Sequence, residues 1–172
     1  MGIVHPDRSI IRSLKGAERS FVQVLADGLS DSWFIFTRQD LWTPQRPYEI
    51  DVLVMHEKYG FLAMEVKGGP VRIEQGEWYR GDHHFEPSPV RQSQNSAYKL
   101  RDHLQQNSEH FKHVSIPHAV VLPDVLKLEG ELPPSCTEDM LLLNPAYENI
   151  EELVKNCIYA SGRKHPLTSQ QI

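Results

Sequence analysis

The stretch EIDVLVMHEKYGFLAMEVKGG, residues 49–69, constrains this chain more than any other part of it. Two runs of β-forming apolar residues flank a polar tip, the pattern of two strands around a tight turn near Lys58 and Gly60. Side chains alternate across a strand, so Glu65 and Lys67 share one face and Val66 takes the other. On the first strand Asp51 goes with Leu53 and Met55, while Ile50, Val52 and Val54 point into the opposite layer. A hairpin centred on Lys58 sets Asp51 across from Glu65. Two carboxylates so placed, with Cβ atoms about 5 Å apart, repel one another. They also sit in the most hydrophobic stretch of the chain, where solvated side chains are least expected. A divalent cation between them removes the conflict. Hard oxygen ligands in small number suit Mg²⁺ or Mn²⁺, which keep waters and complete their shell with phosphate oxygens. Lys67 then stands where an ammonium can orient or deprotonate a water and offset charge on a phosphate. Set against this, any isolated Glu-x-Lys reads as a surface ion pair on an edge strand.

The rest of the chain supplies a domain to hold that hairpin. Its 172 residues suffice for one domain with a real core. Mean hydropathy is -0.46 and net charge -5, so bulk charge does not advertise nucleic-acid binding. No apolar run approaches the ~20 residues of a membrane helix, and the first residues lack the layout of a secretory signal. Cys136 and Cys157 are the only cysteines, which excludes a disulfide framework or a cysteine-based zinc site and points to the reducing cytoplasm. Apolar spacing predicts a helix over 9–29, a strand over 33–37, then a loop over 38–48 broken by Pro44 and Pro47. A small hairpin over 71–80 with Gln75-Gly76 at its tip follows. Pro89 opens a second helix reaching 107, with Val90, Ala97, Leu100 and Leu104 as its buried seam. Residues 118–123 read as a buried strand, 140–143 as another, and 144–160 as a last helix. The tail, 161–172, reads as a linker. This order indicates an α/β fold, a mixed central sheet flanked by helices.

Other residues are weaker candidates. Glu18 falls beside the seam of Leu14, Phe21 and Leu25, where a second acid would suit a metal site, or where a boundary residue simply reaches solvent. Arg8, Arg12, Lys15 and Arg19 recur at helical spacing, and Arg91, Lys99 and Arg101 add charge on the second helix. Arg12, Lys15, Arg19 and Arg91 are the candidates to grip DNA phosphates without reading bases; a solvated helix face is the plain alternative. Trp42, Tyr48, Trp78 and Tyr79 can stack on unpaired bases or cover an edge of the core. No phosphate-binding G-x-x-x-x-G-K-[ST] loop and no G-x-S-x-G elbow occurs.

Four short motifs in order carry a resemblance. They are Ala17-Glu18-Arg19 on a helix, Glu49-Ile50-Asp51, GFLAMEVKG over 60–68, and Ser88-Pro89-Val90-Arg91-Gln92. Together they resemble the nuclease-related domain, NERD, a branch of the PD-(D/E)XK nuclease superfamily. The resemblance implies a restriction-endonuclease-like core over residues 1–160, with Asp51 and Glu65 as ligands of Mg²⁺ or Mn²⁺. It implies Lys67 as the catalytic lysine, Glu18 as a helix-borne acid and Gln92 as the polar residue opening the second helix. Gln94, with Tyr98, resembles the Q-x-x-x-Y element of another nuclease branch and stays open, being nearer the seam on a helical wheel. Leu167 to Gln171, LTSQQ, is similar to the opening of a superfamily 1 helicase, which implies a fused or associated motor as partner. The expected function is a divalent-metal-dependent DNA nuclease in DNA processing or repair. The alternative is a non-catalytic module that binds nucleic acid, or docks to a helicase, on the same fold.

Overall fold

The computed structural model describes residues 1–41, 48–161 and 166–171, without the side chains of 145–147. Its centre is a strand that water does not reach. All seven residues of β4 (Gly60–Val66) are buried, because the strand is covered on both faces and its apolar run leaves no solvated side to present. β3 (Tyr48–His56) pairs with it antiparallel, Val52 opposite Met64 and His56 opposite Gly60. That is the register of a hairpin centred on Lys58. Gly60, at φ +88°, accepts the left-handed turn.

Four more strands complete a six-stranded mixed sheet. β2 (Trp33–Leu41) pairs antiparallel with β3 on one side, and β1 (Ile3–His5) lies parallel beside β2. β8 (His118–Leu122) and β9 (Leu141–Leu143) extend the sheet beyond β4, both parallel, giving the order β1-β2-β3-β4-β8-β9. A small separate sheet holds β5 (Val71–Glu74), β6 (Glu77–Arg80) and β7 (His83–His84).

Helices α1 (Gly16–Gly28) and α3 (Ile150–Ala160) cover one face; Phe21, Leu25, Val154 and Ile158 pack there on Val52, Val54, Leu62 and Met64. Helix α2 (Pro89–Asn107) covers the other, where Ala97 and Leu100 meet Leu53, Phe61 and Ala63. The small sheet seals the end of that second face, with Trp78 and Phe85 against Val90, Val120 and Leu122. Cys136 and Cys157 are buried free thiols, and burial pushes them up to about 11 and about 12. No helix among the described residues is long and apolar enough to cross a membrane.

The structure revises several sequence expectations. The first helix is split: a 3-10 turn at Arg8–Arg12 is capped by Asp7, and α1 starts only at Gly16, whose φ of +51° breaks the run. Strand β2 continues through Thr37 to Leu41, where a loop was expected. Trp42, Pro44 and Pro47 lie outside the described residues. Ile50 joins the cluster of Leu53 on the α2 face, not that of Val52 and Val54. Strand β2 leaves extended geometry at Arg38, φ +50°, just before this point in the ladder, and the alternation shifts with it. The last helix begins as a 3-10 turn, Asn144–Asn149, before α3.

The tail also behaves unlike a linker where it is described. Leu167 is buried in the α2-side cluster, its N–H donates to the Glu57 carbonyl at 2.7 Å, and Gln171 Nε2 donates to the His110 carbonyl at 2.6 Å. Truncating a buried leucine costs roughly 2–5 kcal/mol. Leu167→Ala should therefore lower stability by about 2 kcal/mol in urea titration, at the low end because the site is peripheral. An unchanged midpoint would return the segment to a linker.

Candidate functional site

Where β3 and β4 part, polar groups enter the apolar core. The regular ladder ends at Val52 and Met64. One step further the Val66 N–H donates to Asp51 Oδ2 at 2.7 Å, so a side chain takes the place of the partner strand's backbone. Asp51 thus spans the strand ends, and its other oxygen is left for the cleft beside them. Glu65 is 7% exposed. Lys67 lies just past β4, its N–H donating to the Val121 carbonyl, and its Nζ sits 2.5 Å from Glu65 Oε1. The ammonium also lies 5.9 Å from the Phe85 ring centroid, which backs it from the small sheet.

Helix α2 forms the opposite wall. Ser88 caps it by accepting from the Arg91 N–H. Two small polar residues then fasten its buried side: Ser93 Oγ donates to the Ala119 carbonyl at 2.8 Å, and Ser96 Oγ to the Glu49 carbonyl at 3.1 Å. Between helix and strands runs a cleft of about 370 Å³, lined by Asp51 and Glu65 on one side and Gln92, Asn95 and Ser96 on the other. Tyr48, Glu49 and Pro87 complete its rim.

Of the two glutamines, Gln92 is on this cleft, held by donation from Nε2 to the Pro87 carbonyl at 2.6 Å. Gln94 lines a different hollow with Phe85 and Val90, and its Oε1 meets Arg91 at 3.4 Å. The wheel misled because it took the seam from apolar residues alone. Ser93 and Ser96 are buried as well and carry the buried face toward Gln92, while Tyr98 is exposed.

The remaining candidates are distributed differently. Glu18 does not line the cleft. It accepts from Arg38 across the sheet edge, although its charge is felt at both Asp51 and Glu65. Arg12, Lys15, Arg19 and Arg91 are exposed and none of them lines the cleft. Arg8, Arg12, Lys15 and Arg19 form no single helical stripe, because the break at Gly16 separates them. Sequence reasoning overlooked Arg38, Asn95 and Ser96. Only the serine had a signal, a small residue at helical spacing from Ser93 and Leu100 on the packed face of α2.

The electrostatics follow from burial. Desolvation, then the neighbouring Glu65 charge, pushes the Asp51 carboxyl up to about 7, against the downward pull of the Val66 N–H and Lys67. Glu65 is also raised, by burial first, with Lys67 opposing and Glu49 and Glu18 adding to the rise. Two crowded, poorly solvated carboxylates next to one amine form a site short of positive charge. Among the described residues no three His, Cys, Asp or Glu side chains gather to hold a metal on their own. The donor set is two hard oxygen groups with open space in front, which fits an ion that keeps water and takes phosphate oxygens. Asp51 and Glu65 are the residues that would hold it.

The family model of the nuclease-related domain matches residues 13–123, well over half of the chain and the whole of this site. The protein belongs to that family, and the six-stranded mixed sheet flanked by helices agrees with a nuclease-like core. Comparison with curated proteins and with solved structures found no significant match.

A carboxyl raised to about 7 binds its proton more tightly folded than unfolded, so its contribution to stability is full below pH 4 and is lost as pH rises through 7. In EDTA, Asp51→Asn, whose amide oxygen can still accept from Val66, should raise the melting temperature at pH 8 and change it little at pH 5. Mg²⁺ should raise the pH 8 melting temperature of the wild type and not of the variant. A variant less stable than wild type at pH 8 would contradict this account of the cleft.

Proposed function

We propose that the protein is a divalent-metal-dependent deoxyribonuclease that hydrolyses phosphodiester bonds in this cleft. The observation that supports it best is the convergence of Asp51, Glu65 and Lys67 at one strand end, beside a cleft open to a polymer. Asp51 and Glu65 would hold Mg²⁺ or Mn²⁺, with Asp51 Oδ2 kept on the Val66 N–H and Glu65 Oε1 on Lys67. When bound, the ion would lower the pKa of a water and offset charge on the scissile phosphate.

The chain's own groups supply the rest. Lys67, anchored on Glu65 and backed by Phe85, is aimed by two contacts and orients the attacking water. Gln92 and Asn95 offer amide donors and acceptors on the opposite wall, where they can position the strand. Burial keeps competing water from Glu65, which strengthens its hold on the ammonium and would strengthen it on a metal. Substrate DNA would enter between α2 and the β3–β4 end. The family resemblance of the tail makes a helicase a reasonable physical partner in DNA processing, and the buried free thiols suit a reducing cytoplasm.

The experiment uses supercoiled plasmid and labelled single strands with Mg²⁺ or Mn²⁺. Wild type should cleave, EDTA should abolish cleavage, and Asp51→Ala or Lys67→Ala should reduce it at least about a hundredfold, the size expected for losing a metal ligand or the group that positions the attacking water. Equal cleavage by all three proteins would refute the assignment. DNA binding without cleavage, indifferent to metal and to Asp51→Ala, would identify a non-catalytic module.

A further inference from the structure

We propose that Arg38 receives a backbone phosphate of the bound nucleic acid, and that Glu18 occupies its guanidinium in that phosphate's place until the strand arrives. This rests on the nuclease reading of the cleft and gives that site a substrate-gripping residue.

The placement comes from the ladder. Thr37 pairs with Val52 and Gln39 with Ile50, so Arg38 lies across from Asp51 on the neighbouring strand. There the β2 backbone adopts φ +50°, a region costly for a residue with a Cβ and unusual inside a strand. The strand is distorted at the one residue facing the cleft's aspartate, and the residue is an arginine. Its charge is held up by Glu18 first, and also by Glu49 and Asp51, which places the guanidinium within electrostatic reach of the cleft.

The partner it has is a poor match. Arg38 Nε and a terminal nitrogen both fall on the same oxygen, Glu18 Oε2, at 2.9 Å each. A fork-to-fork pair would use both carboxylate oxygens. The Arg38 side chain is 44% exposed, and an ion pair that open to solvent contributes little to stability. A structural tie between α1 and β2 is therefore a weak reason for the strained backbone. A phosphate offers more acceptor oxygens in the geometry that guanidinium prefers.

The cleft also requires such a residue. Glu49, Asp51 and Glu65 line it, Lys67 is engaged with Glu65, Lys99 lies over the Tyr48 ring at 5.8 Å, and the exposed cations Arg12, Lys15, Arg19 and Arg91 stand off it. A polyanion approaching that rim meets repulsion unless a cation close by is released to it; Arg38 does not line the cleft itself but stands on the next strand, across from Asp51. Exchanging Glu18 for phosphate on Arg38 releases one without any chain movement.

The test measures anisotropy of a short fluorescein-labelled DNA, single-stranded and duplex, in Mg²⁺ with the full chain carrying Lys67→Ala to prevent cutting. Adding Arg38→Gln should weaken binding about tenfold and reduce the slope of log affinity against log salt by about one, the signature of one lost phosphate contact. Glu18→Gln should tighten binding a fewfold, and that gain should vanish when Arg38→Gln is also present. Arg38→Lys should recover part of the loss. If Arg38→Gln leaves affinity and slope unchanged, or Glu18→Gln weakens binding, the phosphate role is wrong while the nuclease reading stands. A parent protein that binds no DNA would overturn both.

Discussion

Everything at the working end of this molecule depends on one buried carboxylate. Glu65 is the last residue but one of a strand otherwise made of apolar side chains and glycine, all buried, and its charge has little solvent to lean on. Lys67, two residues on and on the same side of the chain, is the nearest compensation. Asp51 on the adjacent strand adds a second buried acid, so the compensation is incomplete. The shape of the cleft reflects this imbalance. Strands β3 and β4 give up regular pairing there, Asp51 takes the Val66 N–H, and α2 is fastened beside the cleft by hydrogen bonds from Ser93 and Ser96.

The scaffold around the site is correspondingly firm. Helices α1 and α3 bury one face of the sheet, and α2 with the small sheet buries the other. Gly68, where the chain leaves β4, would bring an added Cβ to 2.8 Å of the Ala17 Cβ, so the N-terminal end of α1 lies tightly against the exit of β4. That contact fixes the helix bearing Glu18 relative to the strand that carries Glu65 and leads into Lys67. The motif Ala17-Glu18 and the motif Lys67-Gly68 are thereby one packing unit, though about fifty residues separate them along the chain.

Legibility in the sequence tracked how local the determining forces are. The β3–β4 hairpin was readable because its register follows from a short turn and a strict alternation, and both held from Val52 to His56. Helix α2 was readable from Pro89 and the apolar spacing. The break at Gly16 was not, because amphipathic periodicity runs straight through a glycine that only the fold sets at positive φ. The extension of β2 to Leu41 depends on pairing with β3, a partner no local window contains. Arg38 is the sharpest case: nothing in Phe-Thr-Arg-Gln distinguishes it, and its importance arises only from standing across from Asp51. The short β1 and β7 likewise owe their existence to neighbours already in place. For the site itself, Asp51, Glu65 and Gln92 meet at one cleft and Lys67 stands behind it, joined through Glu65, whereas Glu18 is turned to Arg38 and the exposed basic residues stay outside.

Membership of a nuclease-related family leaves open what a given member does, since activity belongs to the site and not to the fold. The energetics of the site favour catalysis over a purely structural role. A buried ion pair contributes little to stability compared with apolar residues of similar size, because desolvation offsets much of the attraction. A fold that needed only β4 could therefore fill the positions of Glu65 and Lys67 with leucine or valine and lose nothing. Adding Asp51 makes the arrangement worse for folding, as its raised carboxyl attests. A binding module would gain nothing from an acid pair facing a polyanion, for which basic residues suffice. What two desolvated carboxylates and an amine do better than any apolar or basic set is hold a divalent cation and a water beside a phosphate. The destabilising chemistry is thus concentrated where hydrolysis would use it, and the surrounding layers supply the stability it lacks.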